Sequence, residues 1–252
     1  MTTTDHAPLV SIITITYNSE ATLTDTFESL LQQTYKNFEC IIVDGKSSDS
    51  TLSIVKSYSE KLTERGISYQ FISEKDKGIA DAWNKGLKLA KGSIIGMLNS
   101  DDWYDDNAIA NAVACLDDTA LELSYGICKR VDENKELIEV MDVVFNPNRI
   151  YLNFGFSYTT CFMTRKVIDE IGGFNLDYKI AIDTDFLLRA FKKKVLFKKC
   201  NNITYMRLGG VSTKFEKAAL LEHQTALKNN GFNTLLIWIF GVIKKSYLYL
   251  KK

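Results

Sequence analysis

The sequence predicts an α/β fold with a Rossmann-like, mostly parallel central sheet flanked by helices, and three observations predict it. Over the first hundred residues, short apolar runs alternate with segments of helical periodicity, the signature of consecutive βαβ units. Polar residues gather where those apolar runs end. After Asp102 the alternation loosens into a mixed pattern, which gives the chain a second half of different character.

Four buried strands are expected, at Leu9–Thr16, Phe38–Val43, Tyr69–Ser73 and Ser93–Leu98. Between the first two, Leu23, Phe27, Leu30 and Leu31 recur at helical spacing, and Thr22 with Asp25 three residues on reads as a cap. The next helix takes Asp49 or Ser50 as its cap and Leu52, Val55 and Leu62 as its buried stripe. The third places Ile79, Trp83, Leu87 and Ala90 on one face and ends at Gly92. Right-handed crossovers then bring every strand's C-terminal end to one sheet edge, where α/β proteins bind ligands. The second half reads as a helix over Asn107–Leu116, strands over Leu121–Lys129 and Leu137–Val144, and a loop at Pro147. A helix over Asp183–Lys192, a strand over Val195–Cys200 and a helix over Lys214–Asn229 complete it. The expected division is 1–105, 106–213 and 214–252.

A chain of 252 residues with 46% hydrophobic content buries a full core, as one large domain or two merged lobes. Its 31 basic and 31 acidic residues cancel, so no overall field argues for nucleic acid as a partner. Cys40, Cys115, Cys128, Cys161 and Cys200 form no CxxC pair, which suggests neither a zinc site nor a disulfide framework, and reduced cytosolic thiols are expected. The polar stretch Met1–Pro8 has no signal-peptide core. Near the other end, LLIWIFGVI (Leu235–Ile243) is followed by KKSYLYLKK, too short an apolar run for the roughly 20 residues that a spanning helix needs. Two readings stay open. The segment lies in a membrane interface with Lys244, Lys245, Lys251 and Lys252 toward anionic lipid, or it packs on the protein's own core.

Three stretches deliver polar side chains to the predicted edge: Thr16, Tyr17 and Asn18; Asp44; and Asn99, Ser100, Asp101 and Asp102. In IIGMLNSDDWYDD an apolar strand runs straight into adjacent carboxylates, a costly arrangement unless a cation neutralises them. A hard divalent ion with room for substrate phosphates meets that need.

The segments VSIITITYNSEATLTDTFESLLQQTYKNFECIIVDGKSSDST and EKDKGIADAWNKGLKLAKGSIIGMLNSDDW closely resemble glycosyltransferase family 2, almost continuously from Val10 to Trp103. The resemblance implies the GT-A fold and an inverting transferase that uses a nucleotide diphosphate sugar, commonly a uridine one, with Mn2+ or Mg2+. Among family members it is most similar to bacterial ones that build O-antigen and other surface polysaccharides.

Carried over by motif, the resemblance implies that Tyr17 and Asp44 contact the nucleobase with Thr16 lining the same pocket. It implies that Lys77, Gly78 and Asn84 lie along the donor, that Asp101 faces the ribose or sugar, and that Asp102 ligates the metal. The first aspartate of the family's DXD motif is here Asn99 or Ser100. In AIDTDFLLRA, Asp183 matches the second residue of a Glu-Asp motif whose glutamate is replaced by Ile182, and is implied to be the catalytic base; a plain helix cap is the other reading. Asp185 is a helix-start residue or a partner for Arg189. MRLGGVSTK resembles a loop that closes over the diphosphate, with Arg207 and Ser212 as its ligands, and His223 is read as a surface or core histidine. The implied acceptor is a lipid-linked (undecaprenyl diphosphate) saccharide, met by a cytoplasmic enzyme peripheral to the inner face of the plasma membrane. The competing expectation is a non-catalytic nucleotide-sugar-binding or scaffold protein with a degenerate site.

Overall fold

A computed structural model describes residues 7–209 and 215–250. In the first half β1 (Val10–Thr16), α1 (Leu23–Gln32), β2 (Phe38–Asp44), α2 (Thr51–Glu64), β3 (Ser68–Ser73), α3 (Ile79–Leu89) and β4 (Ile94–Met97) follow as βαβ units. Their strands pair in parallel in the order β3-β2-β1-β4. Along β1, Val10 and Ile12 enter the core under α1 and α2, while Ile13 enters the core under α3. Both faces of the strand are therefore covered, as a parallel sheet requires. Gly86 lets α3 lie close on β1, because a Cβ there would stand 2.3 Å from Ile13.

The second half contributes β5 (Trp103–Tyr104), α4 (Ala108–Cys115), β6 (Glu122–Val131), β7 (Leu137–Met141), β8 (Phe162–Thr164), α5 (Arg165–Ile171), α6 (Ile182–Lys192), β9 (Leu196–Arg207), α7 (Glu216–Asn229) and α8 (Thr234–Leu250). Antiparallel β8 joins β4 to β6, and β9 runs parallel to β6 before its far end pairs antiparallel with β5. One continuous sheet thus spans residues 105 and 106. The β9–β5 pairing also sets Arg207 beside the carboxylates that precede β5.

Several expectations change in detail. β3 is a half-exposed edge strand rather than a buried one, since only β2 pairs with it. Leu52 and Ile79 are exposed, and Tyr58 and Ala82 take their places on the buried faces of α2 and α3. Thr22 does not cap α1; its hydroxyl donates to Ser100 O instead. Asp49 rather than Ser50 accepts from the amide that opens α2, Thr51 N, at 3.0 Å. β9 extends to Arg207, well past Cys200, because its second half gains partners in both β6 and β5. Against the expectation of unpaired thiols, Cys115 on α4 and Cys200 on β9 are joined by a disulfide, their Cα atoms 6.1 Å apart. A spacing of 85 residues hides such a pair from motif reading.

Among the described residues, the C-terminal segment packs on the core at Tyr151 and Leu152. Tyr151 stacks on Phe240 and meets Phe232 edge-on, and Lys244 Nζ donates to Leu152 O. His223 is a core histidine on α7, with Nε2 3.2 Å from Tyr151 O. Burial, with the Lys244 charge second, lowers its pKa to about 4. The unfolded chain therefore binds the proton more readily between about pH 6.5 and 4, and this group's stability contribution is lost as pH falls through that window. The loss expected is about 3 kcal/mol. Thermal melts of His223→Gln should show a shallower decline over that range than the parent, and parallel slopes would refute it.

Candidate active site

Hydrogen bonds stitch together the loops after β1, β2 and β4, so their convergence is fixed rather than incidental. Asn18, at φ 49°, receives Ser48 N on its side-chain oxygen and donates its own amide to Ser47 Oγ at 2.8 Å. Ser19 Oγ lies 2.8 Å from Ser100 Oγ, and Thr26 Oγ1 donates to Asp102 O at 2.8 Å. The first half of the site thus rests on serine, threonine and asparagine side chains that replace regular structure with local bonds.

Asp44 closes β2 fully buried, accepting from Lys46 N, Ser47 N, Ser47 Oγ and Ser73 Oγ at 2.5–3.0 Å. These bonds hold the carboxylate rigidly. Tyr17, 65% exposed, and Asp76 flank the following residue, Gly45. A Cβ at Gly45 would meet Asp76 Oδ2 at 2.5 Å and the Tyr17 ring at 3.3 Å. Thr16 is buried at the end of β1, and its hydroxyl has no hydrogen-bond partner.

Asp102 is buried. Its Oδ2 accepts from Asn99 Nδ2 at 3.0 Å and Thr159 Oγ1 at 2.9 Å, and its Oδ1 from Arg207 N at 3.1 Å. Burial first, and the neighbouring Asp101 charge second, raise its carboxyl to about 7 despite those bonds. Burial raises Asp101 as well. The pair is therefore short of positive charge.

The turn at Tyr158–Thr160 spans from this pair toward Asp183. Thr159 touches Asp102, while Tyr158 packs edge-on against Phe186 of α6 at 6.0 Å. Phe186 stands about one helical turn after Asp183 on α6, so the start of that helix faces the same turn, and the Asp183 charge adds to burial in raising the pKa values of Tyr158 and Cys161. Asp183 Oδ1 accepts from Thr184 N at 2.7 Å; among the described residues no cation pairs with it, and burial raises its pKa. Asp185 differs, with Arg189 Nε at 2.9 Å and Asn230 Nδ2 at 3.0 Å.

The model of the family described as "Glycosyl transferase family 2" matches residues 11–181, more than half of the chain. The chain belongs to this family. A UDP-Glc:alpha-D-GlcNAc-diphosphoundecaprenol beta-1,3-glucosyltransferase of Escherichia coli is 30% identical over 97% of the chain and 98% of its own length. A PGL/p-HBAD biosynthesis glycosyltransferase of Mycobacterium bovis is 28% identical over 92% of the chain and 90% of its own length. Among solved structures, a Pyrobaculum calidifontis mannosyltransferase in complex with GDP-Man and Mn2+ superposes with a TM-score of 0.70. It is 19% identical, covering 98% of this chain and 71% of that one. That likeness gives this glycosyltransferase the GT-A fold.

Not every residue implied by the motifs turns toward the site. Asn84 clamps the backbone of Phe174, donating to its oxygen at 2.8 Å and accepting its amide at 2.7 Å. Lys77 is exposed, and its amide donates to Asp81 at 3.0 Å; Gly78, at φ 118°, is the N-cap of α3. The Arg207 guanidinium, expected on phosphate, is committed to the protein. It donates to Asp101 O, Glu133 O and, at 2.6 Å, Asp25 Oδ2, and lies over the Trp103 ring. A phosphate would have to displace Asp25 to engage it. Ser212 lies outside the described residues. A hollow of about 350 Å³ between α1 and the Trp103–Tyr205 stack contains none of the residues that the motifs imply. Thr159 escaped sequence reading, because a threonine between Tyr158 and Thr160 carries no distinguishing spacing, whereas Asp76 opens the Asp-Lys-Gly stretch that the resemblance lays along the donor.

Proposed function

We propose that this glycosyltransferase transfers a hexose or N-acetylhexosamine from a UDP-sugar to a hydroxyl of an undecaprenyl-diphosphate-linked saccharide, with inversion and a β linkage, in bacterial surface polysaccharide assembly. The E. coli relative, similar along almost its whole length, carries that donor and acceptor in its name. The observation that carries the reading is the Tyr158–Thr160 turn, which bonds Asp102 through Thr159 and packs through Tyr158 on α6, the helix that carries Asp183.

In this reading Tyr17 stacks on the base, as an exposed aromatic beside a carboxylate can, and Asp44 and Thr16 form the pocket behind it. Asp183 takes the proton of the acceptor hydroxyl as its oxygen bonds to the anomeric carbon. The carbon–oxygen bond to the diphosphate breaks on the opposite face, so an α-linked donor gives a β product. Among the described residues no three His, Cys, Asp or Glu side chains cluster as a ready-made metal cage. Asp102 nonetheless suits a hard ion shared with substrate oxygens. Of the roughly four lone-pair positions on a carboxylate, three are taken, which leaves one on Oδ1. Mn2+ or Mg2+ bound there would offset charge on the departing diphosphate.

The test is a panel of UDP-glucose, UDP-galactose, UDP-N-acetylglucosamine and GDP-mannose against a GlcNAc-diphosphoundecaprenol acceptor, read by product mass. A product one hexose heavier is expected with UDP-glucose. No product with any UDP-sugar on that acceptor would remove the reading, and full turnover in chelator would remove the cation.

The site works at the inner face of the plasma membrane, held there by α8. Leu235, Trp238, Ile239, Val242 and Ile243 stand exposed on that helix, away from the side packed on the core. No aspartate or glutamate follows Glu222 in the chain, whereas Lys228, Lys244, Lys245, Lys251 and Lys252 do. An apolar helix face with basic neighbours suits an anionic surface, and no helix of the described residues is long and apolar enough to cross a membrane. Sedimentation with phosphatidylglycerol vesicles should capture the protein, and Trp238→Ser should weaken capture by about tenfold. Equal capture of the variant would count against this face.

A further inference from the structure

Glu222 does something that neither the motifs nor the relatives point to. From α7 its Oε2 accepts from three consecutive amides, Lys179 N at 3.1 Å, Ile180 N at 2.8 Å and Ala181 N at 2.9 Å. Those residues are the approach to α6, whose N-cap is Ala181 and whose second residue is Asp183. The family pattern would put a glutamate at 182, but Ile182 is 5% exposed and points into the core, so it offers nothing to the helix end. The N-cap Ala181 has no side chain able to cap that end, and Asp183 Oδ1 takes only Thr184 N, inside the helix. A carboxylate gathered by free amides at a helix N-terminus is favoured by both the hydrogen bonds and the helix dipole. Two further bonds brace the same region from α7: Asn230 to Asp185 and Asn229 Nδ2 to Tyr178 Oη, each at 3.0 Å.

We infer that Glu222 is a positioning residue for the catalytic base: by fixing the amides of residues 179–181 it sets where the Asp183 carboxylate stands relative to the acceptor hydroxyl. The inference rests on the reading of Asp183 as base. Its physical content is that a base must meet its proton within hydrogen-bond reach, and a displacement of about 1 Å can cost on the order of 100-fold in rate. The donor-side residues Tyr17, Asp44 and Gly45 belong to β1, β2 and their loops, and Glu222 makes no bond to them. Loss of Glu222 should therefore act on kcat and leave the donor KM alone.

The experiment is a double-mutant cycle on the full chain, with kcat and donor KM measured for Glu222→Ala, Glu222→Gln, Asp183→Asn and the combinations. Glu222→Ala should lower kcat by ~10- to 100-fold with donor KM within about twofold, and Glu222→Gln, which keeps one acceptor oxygen, should recover most of the rate. In the Asp183→Asn background Glu222→Ala should cost less than about threefold, because there is no longer a base to misplace. Equal losses in both backgrounds, or a rise in donor KM matching the fall in kcat, would overturn the inference. If the alanine variant does not fold, Glu222→Asp, whose side chain is one methylene too short to reach all three amides, reads the same cycle. A fully active Asp183→Asn would instead sink the reading of the base beneath it.

Discussion

Asp183→Asn should lower kcat by ~10²- to 10⁴-fold while UDP-sugar binding stays within about twofold, the range removed when a general base is lost. Two acids near the start of α6 could be rivals for the role, and their partners separate them. Asp185 is buried with a guanidinium and an amide on it, so its charge is already neutralised and its oxygens are occupied. Asp183 has one backbone amide and no cation among the described residues. A proton acceptor must have a free oxygen and no competing positive charge, and Asp183 alone meets both conditions. Asp185→Asn should therefore appear first as lost stability, since it leaves Arg189 with an uncompensated charge inside the fold. Burial raises the Asp183 pKa, so the parent's rate should climb with pH through a midpoint above the ordinary carboxylate range, and Asp183→Asn should lack that limb. Kinetics with donor binding followed separately by calorimetry decides it. A variant that binds donor and turns over at the parental rate would place the base elsewhere.

What the sequence revealed and what it hid follow from the range over which the forces act. The central parallel strands were legible because they are covered on both faces and leave runs made mostly of apolar residues. The position of Tyr17, Asp44 and Asp102 at one sheet edge was legible because each stands where such a run stops. β3 was misread because a sheet edge looks like a buried strand until its neighbours are counted. Thr22 and Asn84 carry the right residue types for a cap and a ligand, yet their partners lie 78 and 90 residues away, and those distant bonds outweigh the local pattern. Arg207 is the sharpest case. Its motif suggests phosphate, but the pairing of β9 with β5 delivers it to Asp25, an ion pair across 182 residues that no local window contains. Glu222 left no signal at all, since an acid on an exposed-looking helix is ordinary until the fold brings three amides to it.

Asp102→Asn should abolish turnover and, in chelator at pH 8, raise the melting temperature. The two effects have one cause. In the metal-free protein the carboxyl titrates at about 7 against an unfolded value of 3.8, so between those pH values the folded chain holds the proton more tightly. Stability then falls as pH rises through that window and is flat above it, and at pH 8 the ionised, buried group destabilises the fold. Asparagine removes the charge but offers one acceptor oxygen where Asn99, Thr159 and Arg207 N present three donors. A donor left unpaired costs about 1–3 kcal/mol, and removal of the buried charge is expected to outweigh that cost at pH 8 as a net gain in stability. At pH 4 the parental carboxyl is already protonated, so that gain should vanish. A cation should narrow the difference from the other side, stabilising the parent more than the variant because only the parent has charge to neutralise. Calorimetric melts at the two pH values, with and without Mn2+, separate these contributions. A variant less stable than the parent at pH 8 in chelator would mean that the three hydrogen bonds outweigh the buried charge, and that the carboxylate is held ready without a cation.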